Sequence, residues 1–427
     1  MQLPRLLLVS QKFPNRGIPD IAAEVRNRLS AAGLAERLKP NASVAIGVGS
    51  RGILNLAQIV RNVVRYWKDA GMRPFIFPAM GSHGAATAEG QADVLAHYGV
   101  TEAAMGCPIV SQLDVISLGK TPEGIEVFMD KAASEADAVM PVNRVKWHTD
   151  FSGPIESGLF KMMAIGLGKF AGARRYHTHA YKIGLEAVVL SAGRHVLKSG
   201  KIVGGLAILE DANHNTGKLD AIPAEHMEAR ERENLALVKS WMAKIPMDVD
   251  ILVVDEMGKD ISGTGMDTKV VNRSVIGAYN PWPNTAKIRR IFVRELSPTS
   301  YGNGLGIGMA DITTDRLVNA VNWEATAVNV LTSNSLGGAH VPLHYRTDRE
   351  CVERLIPTVG KFDPAEVTFG WIRNTLELTR LAFSENLRGE IERNPSLAIE
   401  AETAFDFDGG GNLLSPFQHV EETAGVR

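Results

Sequence analysis

The chain has 427 residues, enough for two domains of ordinary size, and its 45% apolar and 22% charged residues are typical of a soluble globular protein. A net charge of −2 excludes a strongly basic surface for nucleic acid and a polybasic surface for membranes. Two cysteines are too few for a disulfide scaffold or a cysteine zinc cluster. The first apolar run is too short for a signal peptide, and none approaches the ~20 residues of a membrane helix. We therefore expect a cytoplasmic protein.

In the first half of the chain, strand-like and helix-like stretches alternate. Residues 43–50 form an apolar run that ends in glycine, and residues 54–71 carry apolar residues at helical spacing. A second strand and helix are predicted at 73–80 and 87–99, and a third strand at 136–145. Such alternation is typical of parallel strands joined by crossover helices.

A second block begins with a strongly apolar strand at 249–258. A long helix with a polar face, 226–246, precedes this strand and could act as a hinge. Further elements are predicted at 314–321 and 325–334, followed by a C-terminal helix around 371–387.

This pattern predicts an α/β protein of two α/β domains with parallel or mixed sheets. We place an N-terminal cofactor-binding domain at residues 1–235 and a C-terminal α/β domain at residues 236–427. The cleft between two such domains is the usual place for a small ligand, and the C-terminal domain is expected to close it.

Three loops at predicted strand ends carry residues suited to chemistry, because ligands of open parallel sheets bind beyond the carboxyl ends of the strands. Arg51 stands between a strand and a helix, where an arginine binds phosphate or carboxylate or is simply a surface residue. His83 lies between Gly81 and Gly84, accessible for acid–base chemistry or merely solvated. His148 follows the third strand, at the same rim as the other two loops.

The glycine-rich stretch 146–180 also contains Lys161, His177 and His179. The sequence HTH is a weak metal signal, because histidines two apart face one metal ion only on a strand or an irregular loop. One of the pair is therefore expected to act as a single ligand. No carboxylate pair or third histidine stands at a spacing that would complete a hydrolytic zinc site.

Arg51, His83, His148, Lys161 and His177, in this order and at these spacings, resemble the nickel-dependent lactate racemase family. The GSH that ends at His83 is similar to the family's glycine–x–histidine loop. The sequence HTDFSGPIESGLFK is similar to its histidine, Ser-Gly-Gly turn and lysine, with an insertion between them. The resemblance extends to about residue 260 and implies an α/β fold.

The resemblance implies a nickel-pincer nucleotide, a pyridinium mononucleotide whose two thiocarbonyl groups hold nickel. A thioamide would attach this cofactor covalently to Lys161, and His177 would complete the nickel site. Arg51, Ser152 and Gly153 would be cofactor-binding residues. The enzymes that make the cofactor would then be partners of this protein.

The reaction implied is racemisation or epimerisation of a 2-hydroxy acid by hydride transfer from Cα, with His83 and His148 alternating as acid and base. Histidine suits this role because it changes charge near neutral pH. Soft sulfur together with imidazole suits nickel. Gly81 and Gly84 are expected to let backbone approach a flat ring.

The stretch 256–273 departs from the family, because it lacks the spacing of glutamine and lysine with which family members bind the substrate carboxylate. Lys259, Thr264 and Lys269 are the candidates to replace them, so the 2-hydroxy acid stays open and lactate is not assumed. One alternative is a non-catalytic protein of the same fold that binds a ligand or the cofactor. Another is a metal hydrolase built on the two histidines of HTH. The oligomeric state is open, and a homo-oligomer is compatible with this interpretation.

Overall fold

A computed structural model describes residues 3–49, 52–149 and 151–417. The chain divides into two compact units. We call Pro14–Met242 the middle unit, and Met1–Phe13 together with Ala243–Arg427 the terminal unit. Each contains a sheet and several helices, so the predicted α/β class is confirmed.

Within the described ranges the structure has fifteen strands. They are β1 (Leu6–Gln11), β2 (Ser43–Val48), β3 (Arg73–Pro78), β4 (Val115–Lys120), β5 (Glu126–Asp130), β6 (Ala138–Arg144), β7 (Gly204–Glu210), β8 (Thr216–Pro223), β9 (Val249–Met257), β10 (Ile288–Leu296), β11 (Ile312–Thr314), β12 (Leu343–Tyr345), β13 (Phe369–Ile372), β14 (Arg380–Ser384) and β15 (Leu397–Thr403). These strands form one sheet of eight, one of five and one of two.

The same ranges contain fourteen α-helices. They are α1 (Ile21–Ala31), α2 (Leu56–Asp69), α3 (Ala88–His97), α4 (Glu102–Met105), α5 (Lys131–Glu135), α6 (Leu159–Lys161), α7 (Lys169–Ile183), α8 (Leu185–Lys198), α9 (Met227–Trp241), α10 (Thr268–Val271), α11 (Asp315–Ala320), α12 (Trp323–Ser333), α13 (Asp348–Leu355) and α14 (Arg388–Arg393). Among the helices described, none has the length and apolar character needed to cross a membrane.

The middle unit is built on a five-stranded sheet of order β3-β2-β6-β7-β8. Strands β3, β2, β6 and β7 are parallel, and β8 is antiparallel to β7. The strands predicted at 43–50, 73–80 and 136–145 correspond to β2, β3 and β6 of this sheet, and the helices predicted at 54–71 and 87–99 correspond to α2 and α3. The carboxyl ends of the parallel strands lie at one edge, so the loops that follow β3, β2 and β6 are neighbours.

Both faces of this sheet are covered. Val44 and Ile46 of β2 are fully buried in a cluster with Ile59 of α2, whereas Ala45 is buried on the other face in a cluster with Val189 of α8. Successive side chains of a strand point to opposite faces, so a strand covered on both sides is apolar at nearly every position. This explains why β2 appears in the sequence as a continuous apolar run.

The division of the chain differs from the predicted boundary at residue 235. Helix α9 is continuous through that position, and its Met227, Leu235 and Val238 are buried in the core of the middle unit. Strand β1 pairs with β14 and β15, so the first strand of the chain belongs to the terminal unit. The expected hinge helix is therefore part of a core, and the chain enters and leaves the middle unit at residues 13–14 and 242–243.

The terminal unit is built on an eight-stranded mixed sheet of order β12-β11-β10-β9-β13-β14-β1-β15. The helix predicted around 371–387 is wrong, because the segment forms the end of β13, a turn, and β14. Trp371 of β13 pairs with β9, and Phe383 of β14 pairs with β1, and both side chains are buried. Pairing with distant strands has overridden the local helical pattern.

Candidate functional site

The two histidines predicted as acid and base follow strands on either side of β2. His83 lies after β3 and His148 after β6, and β2 stands between these strands in the sheet. Both loops therefore start from the same edge. His83 is exposed, His148 is half-buried, and Ser152 is exposed further along the second loop. Arg51, predicted for the loop after β2, lies outside the described residues.

The glycines around His83 pack against the chain itself. A Cβ on Gly81 would lie 3.0 Å from Cγ2 of Ile165 and 3.1 Å from Cβ of Ala173. Gly84 has a φ of +61°, and a Cβ there would lie 2.3 Å from the carbonyl carbon of Gly90. These contacts show that both glycines are needed for close packing of the loop on α3 and α7, and the expectation that they let backbone approach a flat ring stays a prediction.

A buried carboxylate organises the loop that carries His148. The backbone N–H groups of His148 and Gly153 donate to Oε2 and Oε1 of Glu156, the latter at 3.0 Å. Glu156 is fully buried and forms an ion pair with Lys239 of α9. The ring of His148 also stacks on Phe151, with centroids 4.2 Å apart. Backbone and ring of His148 are thus both held in place.

A second buried carboxyl group, that of Glu231, lies at the start of α6, the helix that ends at the half-buried Lys161. Oε2 of Glu231 accepts the backbone N–H of Phe160 at 3.1 Å. The amide of Asn143, near the end of β6, donates to the carbonyl of Gly158 at 3.0 Å. Burial raises the pKa of Glu231 to about 8. These contacts fix the start of the helix that carries Lys161.

The raised pKa of Glu231 predicts a pH dependence of stability. A carboxyl group with a folded pKa of about 8 and an ordinary value of 4.5 binds its proton more tightly in the folded state. Its contribution to stability is therefore complete below pH 4.5 and is lost as the pH rises toward 8. We expect Glu231→Gln to lack this loss of stability, which amounts to at most about 5 kcal/mol at ~1.4 kcal/mol per pKa unit.

Urea unfolding of both proteins at pH 5, 6.5 and 8 measures this effect. The free energy of unfolding of Glu231→Gln should rise relative to that of the wild type as the pH rises. Glu233→Gln, on the same helix but exposed, is the matched control. A constant difference between Glu231→Gln and the wild type across this range would contradict the prediction.

The segment between Lys161 and His177 packs under the same edge of the sheet. It begins with a π-helical turn, Met162–Gly166. A Cβ on Gly49, just after β2, would lie 3.1 Å from Cε of Met162. On α7, Ala173 lies against Gly81 of the His83 loop and His177 stands one helical turn further on. The segment therefore connects the lysine and histidine predicted to hold the cofactor with the loops after β2 and β3.

The two histidines of HTH lie on a helix. His177 and His179 are both half-buried on α7, and residues two apart on a helix point about 200° from each other. They therefore cannot face one metal ion, which argues against the hydrolase alternative. In residues 3–49, 52–149 and 151–417 there is no group of three or more His, Cys, Asp or Glu side chains arranged to hold a metal.

The residues proposed for the substrate carboxylate follow β9 in the terminal unit. Nζ of Lys259, which is half-buried, donates to Oδ1 of Asn329 at 2.8 Å. The hydroxyl of Thr264 is buried and donates to a backbone carbonyl two residues further on, at 2.7 Å. Lys269 is buried with its ammonium 4.5 Å from the ring centroid of Trp282. Each side chain has a contact within its own unit, and their assignment to the substrate stays a prediction.

Sequence reasoning missed the buried charged residues that hold this site together. Glu156 and Glu231 are fully buried, as is Lys169 at the start of α7. One signal was present for Lys169, which is the only charged residue in the apolar run MMAIGLGKF. Glu231 stands among many charged residues of a polar-faced helix, and nothing local marks it as buried.

Comparison with known proteins finds no protein-family model that matches the chain and no curated protein that matches it in sequence. Solved structures that resemble it along most of its length include a Thermotoga maritima protein from a structural genomics consortium. That protein is 12% identical, with a TM-score of 0.53 over 86% of this chain and 99% of that one. Another is the lactate racemase apoprotein from Thermoanaerobacterium thermosaccharolyticum, 13% identical, with a TM-score of 0.43 over 82% and 91% of the two chains. The likeness to the Thermotoga protein shows a shared fold.

Proposed function

We propose that this protein is a racemase or epimerase of a 2-hydroxy acid that uses a nickel-pincer nucleotide attached to Lys161. The observation that carries the proposal is the position of His83 and His148, which follow the two strands that flank β2 at one edge of the sheet. The segment that bears Lys161 and His177 packs against the same edge. The role of each residue in the reaction is inferred from their order and spacing, which resemble those of the racemase family.

The donor set of this chain fits the cofactor. Lys161 offers an amine on a helix whose start is held by Glu231, and His177 offers one imidazole on α7. A pincer group has its own sulfur donors, so a single imidazole from the protein would complete the nickel site. Sulfur together with imidazole suits nickel. Arg51, Ser152 and Gly153 would contact the remainder of the nucleotide. When bound, the cofactor would supply a hydride acceptor.

The two histidines would move the proton of the substrate hydroxyl. One imidazole takes the proton from that oxygen as the carbonyl of a 2-keto acid forms, and the other returns a proton when the opposite configuration is made. Imidazole suits both roles because it changes charge near neutral pH. His148 is held by Glu156 and Phe151, so its ring is already oriented. His83 is exposed and can exchange its proton with solvent.

A panel of single stereoisomers of 2-hydroxy acids, deuterated at Cα, tests this function. The protein is produced together with the cofactor-making enzymes, and optical rotation and the deuterium label are followed. We expect one structural class to lose optical rotation while the label stays at Cα, because hydride transfer keeps that hydrogen out of exchange with water. Label lost to water would indicate proton abstraction at Cα instead. Unchanged rotation across the panel, with the cofactor bound, would favour a binding protein.

A further inference from the structure

A buried lysine connects the loop of His83 to the helix of His177. Lys169 is the first residue of α7, and its side chain has no exposed surface. Its ammonium donates to the carbonyl of Pro78, the last residue of β3, at 2.8 Å and to Oε1 of Gln91 at 2.7 Å. One side chain thus joins the start of α7 to the strand that leads into the His83 loop.

Gln91 extends this connection into the loop itself. It is fully buried on α3, and its Nε2 donates to the carbonyls of Met80 at 3.3 Å and Gly81 at 3.1 Å. Because an ammonium group has donors only, it determines that the amide oxygen faces Lys169 and the NH₂ faces the loop. The hydrogen bonds run in one direction, from Lys169 through Gln91 to the residues just before His83.

Stability alone does not explain a lysine at this position. Burial lowers the pKa of Lys169. The carboxyl group of Asp130, 3.6 Å away, offsets only part of this shift. Its backbone also has a φ of +54°, which a residue with a side chain rarely adopts. An apolar residue of similar size commonly serves a core as well as a buried ion pair does. Strain and buried charge of this kind are typical of positions that maintain a functional geometry.

We propose that Lys169 is a positioning residue, which fixes the His83 loop relative to the first turns of the helix that carries His177. The catalytic consequence rests on the proposed function, since it concerns the acid–base histidine and the nickel ligand named there. The restraint on the loop rests only on the contacts of Lys169 and Gln91 and can be measured on the protein without cofactor.

Hydrogen–deuterium exchange of the cofactor-free protein tests the restraint. Lys169→Met keeps most of the side-chain volume and removes the ammonium. We expect amide exchange in residues 79–87 to accelerate at least about tenfold, while the rest of the middle unit is unchanged. Lys182→Met, an exposed lysine on the same helix, is the matched control and should leave this loop as in the wild type. Exchange that is unchanged in the loop, or raised equally throughout the unit, would overturn the proposal.

A second variant keeps the test decisive if Lys169→Met fails to fold. Gln91→Glu retains an acceptor for Lys169 but has no N–H to donate to the carbonyls of Met80 and Gly81. The same local acceleration in 79–87 is expected, with the start of α7 unaffected. A loop that stays protected in Gln91→Glu would show that these hydrogen bonds do not restrain it.

Kinetic measurements on the cofactor-loaded enzyme distinguish a failure of the positioning role of Lys169 from a failure of the proposed racemase function. We expect Lys169→Met to lower kcat about 100-fold with little change in KM, as when a reacting group is displaced by about 1 Å. If the wild type is inactive on every 2-hydroxy acid, the proposed function fails while the exchange experiment still decides the restraint. If the wild type is active and Lys169→Met keeps kcat within about threefold, the positioning role is wrong.

Discussion

Replacing either His83 or His148 by alanine is expected to abolish racemisation in both directions. If the two imidazoles act on opposite faces of the substrate, each is the base in one direction and the acid in the other, so every turnover needs both. General acid–base groups contribute about 10²–10⁴-fold each. The loss should therefore appear in kcat for both stereoisomers, measured by optical rotation with the cofactor loaded.

The structure offers a matched control for these variants. His97 is an exposed histidine at the end of α3 in the same unit, and His97→Ala should keep wild-type activity. Nickel content, measured on each variant, separates a lost proton transfer from a lost cofactor. If either His83→Ala or His148→Ala stayed within about tenfold of the wild type with nickel bound, a barrier change below ~1.4 kcal/mol, the two-base scheme would be wrong.

Lys161→Ala is expected to lose the cofactor, the nickel and all activity together. The proposal makes the Lys161 amine the point of covalent attachment, and alanine has no nitrogen to acylate. Intact mass of wild-type protein produced with the cofactor-making enzymes should show an adduct that peptide mapping assigns to Lys161. In Lys161→Ala the mass should be that of the unmodified chain.

Two further proteins make the mass experiment decisive. Lys182→Ala, on the exposed part of α7, should carry the full adduct. Lys161→Arg retains the positive charge but cannot form the thioamide, so it should also stay unmodified. An unmodified wild type under these conditions, or an adduct that persists in Lys161→Ala, would argue against covalent attachment at this residue.

The local pattern of the sequence determined the core of the middle unit. The apolar runs at β2, β3 and β6 and the helical spacing of α2 and α3 were sufficient to predict parallel strands with crossover helices. The prediction that loops after these strands share one edge followed from that topology alone. The positions of His83 and His148 could therefore be predicted because each depends on a nearby strand.

Only the tertiary structure decided which distant parts of the chain meet. Strand β1 joins the terminal unit by pairing with β14 and β15, nearly the whole chain away, and no local pattern encodes that partner. The segment 371–387 has a helical pattern and becomes strand because β9 and β1 are available to pair with it.

The buried charged residues of the site also depend on contacts between distant parts of the chain. Glu156 meets Lys239 at a separation of 83 residues, Lys169 meets Gln91 at 78, and Glu231 meets Phe160 at 71. A charged side chain is stable in a core only when its partners are in place, and those partners come together only when the chain folds. For that reason the sequence alone could supply the residues that we propose for the chemistry, whereas the buried residues that hold their loops and helices in position appeared only with the fold.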